Sequence, residues 1–156
     1  MLPFALKTPE AHLPYARWHQ LPLEAVRLTG GFWASRQDIN RRVTLPHGYR
    51  MLEQTGTLDN FRIAAGLKQG SYRGDVVFLD SDVYKWLEAV AYELQANPDP
   101  ALRQQADDVI ELVAAAQQSD GYLNTYYQLV EPDARWSDLD FGHELYCAGH
   151  LFEAAV

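Results

Sequence analysis

Two amphipathic stretches hinged on Asn97-Pro98-Asp99-Pro100 constrain the fold more than any other feature of the chain. Upstream, Val83, Trp86, Leu87, Val90, Ala91 and Leu94 recur at i, i+3, i+4, i+7, i+8 and i+11, which gathers the apolar side chains on one helical stripe. Downstream, Leu102, Ala106, Val109, Ile110 and Val113 repeat the period. The hinge reads as a stop followed by a start. Asn97 suits a left-handed C-terminal position, Pro98 cannot continue a helix, Asp99 is a good N-cap and Pro100 fits the first helical position. Helices joined this closely must run antiparallel, so the sequence predicts an αα-hairpin.

Shorter elements flank it. Prolines recur through residues 1–22 and forbid a long helix there, while Phe4, Tyr15 and Trp18 suit an extended N-terminal arm. A short strand is expected at 24–28, with Val26 and Leu28 on one face, before Gly30-Gly31 breaks the chain. A partly exposed helix follows over 32–43, Pro46 interrupts it, a second piece closes near Gly56, and another helix over 58–65 ends at Gly66. Residues 68–74 read as a loop. Asp120-Gly121 ends the second arm of the hairpin, and Thr125, Tyr126, Tyr127 and Val130 favour extended structure over 122–130. A longer connection over 131–142 leads to a helix beginning near His143, with Leu145, Ala148, Gly149, Phe152 and Ala155 or Val156 as its apolar stripe. No capping signal follows that stripe, so further helices are expected to cover it and the 156 residues are expected to be the front of a longer polypeptide. Serial helical hairpins joined by aromatic loops point to a mainly α toroid, with a plain bundle as the simpler alternative.

Composition narrows the partners. With 47% hydrophobic residues the chain can bury a sizeable core. A net charge of -8, from 13 basic and 21 acidic side chains, offers no extended positive surface to nucleic acid or to an anionic membrane. No window approaches the roughly 18 apolar residues of a membrane span, and a cytoplasmic location is expected. A single cysteine, Cys147, forms no internal disulfide and no multi-cysteine metal site.

Three segments carry chemistry. His143, Cys147 and His150 stand at i, i+4 and i+7 beside Glu144, which invites a zinc reading, but cysteine replaces the second histidine of a His-Glu-x-x-His helix and no further ligand is evident. Cys147 is therefore read as a small buried hydrophobe, His150 as a hydrogen-bonded core histidine, and His143, at the helix start, as a donor to a sugar hydroxyl or carboxylate. Asp80-Ser81-Asp82 reads first as helix capping; beside Tyr84 and Trp86 it also matches the acids and ring platforms of a carbohydrate site. The amides and tyrosines of the 117–126 segment, Asn124 among them, suit neutral polyols or simple turn packing equally well.

Taken together, Leu28-Thr29-Gly30-Gly31-Phe32-Trp33, Thr44-Leu45-Pro46-His47, the run from Gln54 through Asn60-Phe61-Arg62 to Gly66, the Asp80 to Ala89 segment, Ala116 to Thr125, and His143 to Leu151 resemble the N-terminal part of glycoside hydrolase family 127, whose members include β-L-arabinofuranosidases. The resemblance implies that residues 1–156 are the N-terminal part of an (α/α)6 barrel catalytic domain with β-sandwich domains after it. It implies retaining hydrolysis of β-L-arabinofuranosides, with an L-arabinose-containing glycan or glycoside as partner. It further implies a zinc-bound cysteine thiolate as nucleophile, with cysteine and glutamate ligands and a separate glutamate acid/base. Those groups are expected downstream of Val156, in the missing C-terminal part of the same enzyme, so no catalytic residue and no metal ligand is assigned here. The chain by itself is accordingly expected to be inactive. By the same resemblance His143 is expected to be the family's sugar-contacting histidine, and Glu144, Asp82 and Asn124 are expected in the pocket wall. The competing expectations are a non-catalytic carbohydrate-binding or interaction module and a small metal protein built on the His143 helix.

Overall fold

The computed structural model describes residues 25–156 together with Trp18 and Leu21, so most of the arm expected at 1–22 lies outside the described residues. Seven α-helices follow: α1 (Gly31–Ile39), α2 (Leu45–Thr55), α3 (Thr57–Ala64), α4 (Asp80–Ala96), α5 (Pro100–Ala116), α6 (Thr125–Leu129) and α7 (Glu144–Ala155). No strand occurs among the described residues. The strand expected at 24–28 is absent over its described part: Val26 and Leu28 are both exposed, and an isolated strand without a pairing edge has nothing to stabilise it.

The hairpin forms where the periodicity puts it. Asp99 caps α5 by accepting the N–H groups of Ala101 and Leu102 at 2.9 and 3.1 Å, with Pro100 just inside the helix. Asp99→Ala is expected to cost about 1 kcal/mol, read as a small fall in melting temperature. Asn97 departs from expectation, because its backbone is extended (φ -140, ψ 90) rather than left-handed. Pro98 explains this, since the residue before a proline is driven towards extended geometry. Asn97 still closes the helix, donating its backbone N–H to the Glu93 carbonyl and its side-chain amide to Glu93 Oε1, both at 2.8 Å.

Pro46 does not interrupt the second helical region. A π-helical segment, Asn40–Thr44, joins α1 to α2, and the Leu45 N–H reaches back five residues to the Asn40 carbonyl. Proline lacks the N–H of a regular turn and its ring crowds the carbonyl four residues back; the wider π turn relieves that conflict, so the axis continues. Gly56, in the left-handed region at φ 84, then separates α2 from α3.

Residues 125–129 form a helix although their side chains favour strand. Asn124 Oδ1 accepts the Tyr127 N–H at 3.1 Å, and Gln128 Oε1 accepts the Asn124 N–H at 3.0 Å. Reciprocal capping at the first turn outweighs the weak β preference of Thr-Tyr-Tyr.

Leu58, Phe61, Val83, Tyr84, Val90, Val109 and Cys147 form the centre of one core, drawn from α3, α4, α5 and α7. α4 is buried on several sides. α7 packs along α4, and Leu145 and Phe152 stay exposed on its apolar stripe. No described helix is long and apolar enough to cross a membrane.

The loop between α3 and α4 is tied down by polar groups. Asn60, fully buried, donates to the Arg73 carbonyl and accepts the Arg73 N–H at 2.9 and 2.8 Å. Asp59 gathers Lys68, Arg62 and Arg73, and the Lys68 and Arg62 hydrogen bonds hold its carboxyl below the usual carboxylate range. This loop delivers Phe78 to the start of α4.

Candidate functional site

α4 and α7 lie side by side and parallel. Phe78, just before α4, meets His143, just before α7, at a ring separation of 5.0 Å. Further along both helices, Lys85 Nζ donates to Tyr146 Oη at 2.7 Å. Contacts that advance in the same direction on both helices place their N-termini at one end, where the loops before α4 and α7 converge.

His143 stands at that end in a left-handed conformation, φ 53. Its ring lies among Phe78, Tyr146 and Phe141, with centroids 5.0, 5.8 and 6.5 Å away. Nδ1 is paired with the Phe141 carbonyl oxygen. A carbonyl only accepts, so Nδ1 carries the proton and Nε2 is the ring's remaining hydrogen-bonding atom. Lys85 also donates to Ser81 Oγ at 3.2 Å, and Tyr146 sets its ring edge-on to His150 at 4.6 Å. An imidazole, an ammonium and a phenol among aromatic faces make a surface suited to hydroxyl groups on an apolar frame.

Each of the two helices opens on a buried acid. Asp80, the first residue of α4, is 1% exposed. Its Oδ2 accepts the Thr125 N–H at 2.7 Å and its Oδ1 accepts the Thr125 hydroxyl at 2.5 Å. Burial pushes the carboxyl up to about 6, against the lowering effect of those two bonds. Glu144, the first residue of α7, is likewise buried; Oε1 accepts the Tyr122 hydroxyl and Oε2 accepts the Trp136 N–H at 2.7 Å. Tyr122 and Thr125 belong to one stretch of chain, so residues 122–125 strap the starts of both helices together.

These contacts revise several expectations. Asp80 is not a cap: the N-cap of α4 is Leu79, with no side-chain bond, and Asp80 turns inward because Thr125 supplies its two donors. Tyr84 and Trp86, expected as ring platforms, are 1% and 6% exposed, with Trp86 Nε1 donating to the Leu45 carbonyl at 3.0 Å. The rings at the helix starts are Phe78, Phe141 and Tyr146. Tyr146, three residues after His143, had a signal in the helical spacing, whereas Phe78 had none because it arrives through the folding of a loop.

Among the expected wall residues, His143 sits in the aromatic frame and Asp82 is exposed on the first turn of α4. Both carboxylate oxygens of Glu144 are engaged by protein groups. Asn124 is buried as the cap of α6, with Nδ2 lacking a protein partner. His150 is half-buried and its Nδ1 has no partner, so it is not the hydrogen-bonded core histidine expected from sequence. Cys147 is fully buried, as a small hydrophobe would be; burial foremost, with the neighbouring Asp80 charge, pushes its thiol up to about 12. Such a thiol is protonated at neutral pH, and neither a zinc thiolate nor a nucleophile fits it. Among the described residues no three His, Cys, Asp or Glu side chains gather into a metal-sized cluster.

Residues 25–156 match the family model described as β-L-arabinofuranosidase, GH127 catalytic domain. The chain belongs to this family. It is similar to the non-reducing end β-L-arabinofuranosidase of Bifidobacterium longum, with 37% identity over 84% of this chain and 23% of that protein. Among solved structures it resembles a GH127 β-L-arabinofuranosidase from Geobacillus stearothermophilus T6, with a TM-score of 0.81 and 51% identity over 83% of this chain and 21% of the other. A GH127 β-arabinofuranosidase aligns with a TM-score of 0.78 and 37% identity over 86% of this chain and 22% of the other. The helices thus form part of an (α/α)6 barrel, as the family resemblance implied. The chain spans about a fifth of the length of these relatives.

Proposed function

We propose that these residues supply one wall of the sugar pocket of a retaining glycosidase acting on β-L-arabinofuranosides, with His143 as the contacting group. The observation that carries the reading is the His143 ring itself, fixed in tautomer by the Phe141 carbonyl and framed by Phe78 and Tyr146 at the joint start of two parallel helices. Family membership supplies the substrate class. Asp82, exposed on the first turn of α4, is the secondary candidate for a hydroxyl contact, whereas Asn124, 1% exposed with its Nδ2 buried, is out of a sugar's reach. The zinc, its cysteine and glutamate ligands and the acid/base are assigned, under the same proposal, to the four fifths of such an enzyme that the chain does not span.

Titration with L-arabinose, followed by the ring signals of Phe78 and Tyr146 in NMR, tests the proposal. Saturable shifts that vanish in His143→Ala are expected, together with no turnover of an aryl β-L-arabinofuranoside by the chain alone. Absence of saturable binding, or binding indifferent to His143→Ala, overturns the pocket assignment. Turnover by the purified chain would refute the placing of the nucleophile elsewhere.

A further inference from the structure

The connection from Trp136 to His143 begins and ends on non-glycine residues with left-handed backbones, φ 60 at Trp136 and φ 53 at His143. L-residues avoid that region, and such residues persist only where their surroundings over-determine them. The surroundings here converge on one side chain. Glu144 follows His143 directly, and its Oε2 accepts the N–H of Trp136 at 2.7 Å, so one carboxylate spans both ends of the connection. Its other oxygen takes the hydroxyl of Tyr122, whose ring packs edge-on against Trp136 at 5.4 Å.

A carboxylate in the first turn of a helix normally gains from the helix dipole while staying in water. Glu144 is instead 3% exposed and commits both oxygens to groups 8 and 22 residues away along the chain. We propose that Glu144 is a positioning residue, a latch that closes the 136–143 loop and holds His143 in its left-handed conformation at the mouth of the site. The proposal rests on the sugar-pocket reading for its purpose, while the latch itself is a property of the loop. Glu144 would act through His143, without touching the sugar.

The test uses the intact chain and trypsin, with each cut located by mass spectrometry. The bond after Arg135 enters the latched loop, and the Arg135 side chain is only 22% exposed, so the wild type is expected to resist cleavage there. Glu144→Ala is expected to raise the cleavage rate after Arg135 at least tenfold, relative to cleavage after Arg50 inside α2, and to move the His143 ring signal away from its ring-shifted position. Glu144→Gln keeps an acceptor for the Trp136 N–H and an amide for the Tyr122 oxygen, and is expected to restore protection. Tyr122→Phe removes one of the two bonds and should give an intermediate rate; it decides the matter if Glu144→Ala opens everywhere, Arg50 included. Unchanged cleavage after Arg135 in both Glu144→Ala and Tyr122→Phe overturns the latch, as does failure of Glu144→Gln to protect. Selective opening in a chain that binds no L-arabinose removes the sugar-pocket reading and leaves the latch standing.

Discussion

Asp80→Asn is expected to make the protein more stable at neutral pH by up to about 3 kcal/mol, although it alters a buried, doubly hydrogen-bonded side chain. The sign follows from the direction of the shift. Asp80 is raised from 3.8 to about 6 in the folded state, chiefly by burial. Below pH 4 the carboxyl is protonated whether folded or not. Between about 4 and 6 the folded form keeps a proton that the unfolded form has lost, so stability falls as pH rises; above 6 the full penalty is present. A carboxyl raised from 3.8 to about 6 corresponds to roughly 3 kcal/mol. Asparagine carries no such penalty and preserves the pairing, since its carbonyl accepts the Thr125 N–H and its amide donates to the Thr125 hydroxyl oxygen. The melting-temperature difference between variant and wild type should therefore widen from pH 4 to pH 7. Because other carboxylates cancel in that difference, a flat profile would show that Asp80 is not a buried ionised group. Asp80→Ala leaves two buried donors of Thr125 without an acceptor and should lie about 2–4 kcal/mol below Asp80→Asn.

The same residue shows where sequence reading stops. Asp80 looked like a helix cap, or like a carbohydrate-site acid beside Tyr84 and Trp86, because its near neighbours show only an acid before an apolar and aromatic stripe. Its fate is decided by Thr125, 45 residues away, and by the depth at which α4 is buried. The hairpin of α4 and α5 was legible because periodicity and capping are local, and Asp99 does what its neighbours dictate. Asn97 was misplaced for want of one local rule, the effect of the following proline. The Pro46 interruption failed because the chain widened a turn instead of breaking.

The candidate site divides along the same line. His143 could be found, since a histidine at the head of an apolar stripe is visible in the spacing. Its frame could not, because Phe78 is brought in by a loop that Asn60 and Asp59 tie down, and Phe141 by a connection without periodicity. Glu144 was legible as an acid beside the histidine; its role was not, because both of its partners lie in other loops. Tyr84 and Trp86 were assigned to the surface for a related reason. A stripe of aromatics at helical spacing does not reveal how many sides of the helix are covered, and α4 is covered on several.

Gly142→Ala is expected to damage the site more than the fold, because among the glycines it alone would set a Cβ within 3 Å of another residue's backbone atom. A Cβ at Gly142 would overlap the Tyr127 hydroxyl and stand 2.5 Å from the Asp138 carbonyl oxygen. Neither neighbour yields easily. Tyr127 is 4% exposed and seated by its own backbone bond to Asn124, and the Asp138 carbonyl accepts the Gly142 N–H at 2.9 Å, which closes the turn. Relief must come from the backbone, and the residue it would carry is His143. Overpacking of this kind costs about 1–3 kcal/mol, and the loss should appear as a lower melting temperature. The effect on the site should exceed the effect on the fold: a shift of even an ångström in His143 removes its contact with Phe78 and its bond to the Phe141 carbonyl, so L-arabinose binding should fall below detection at a temperature where the helices are intact by circular dichroism. Gly149, in α7, has open space around it, and Gly149→Ala serves as the control that should leave binding unchanged and melt no lower than the wild type. If Gly142→Ala melts like the wild type and retains the His143 ring shifts, the tight packing of the loop beneath the histidine is wrong, and with it the view that the loop sets the position of the ring.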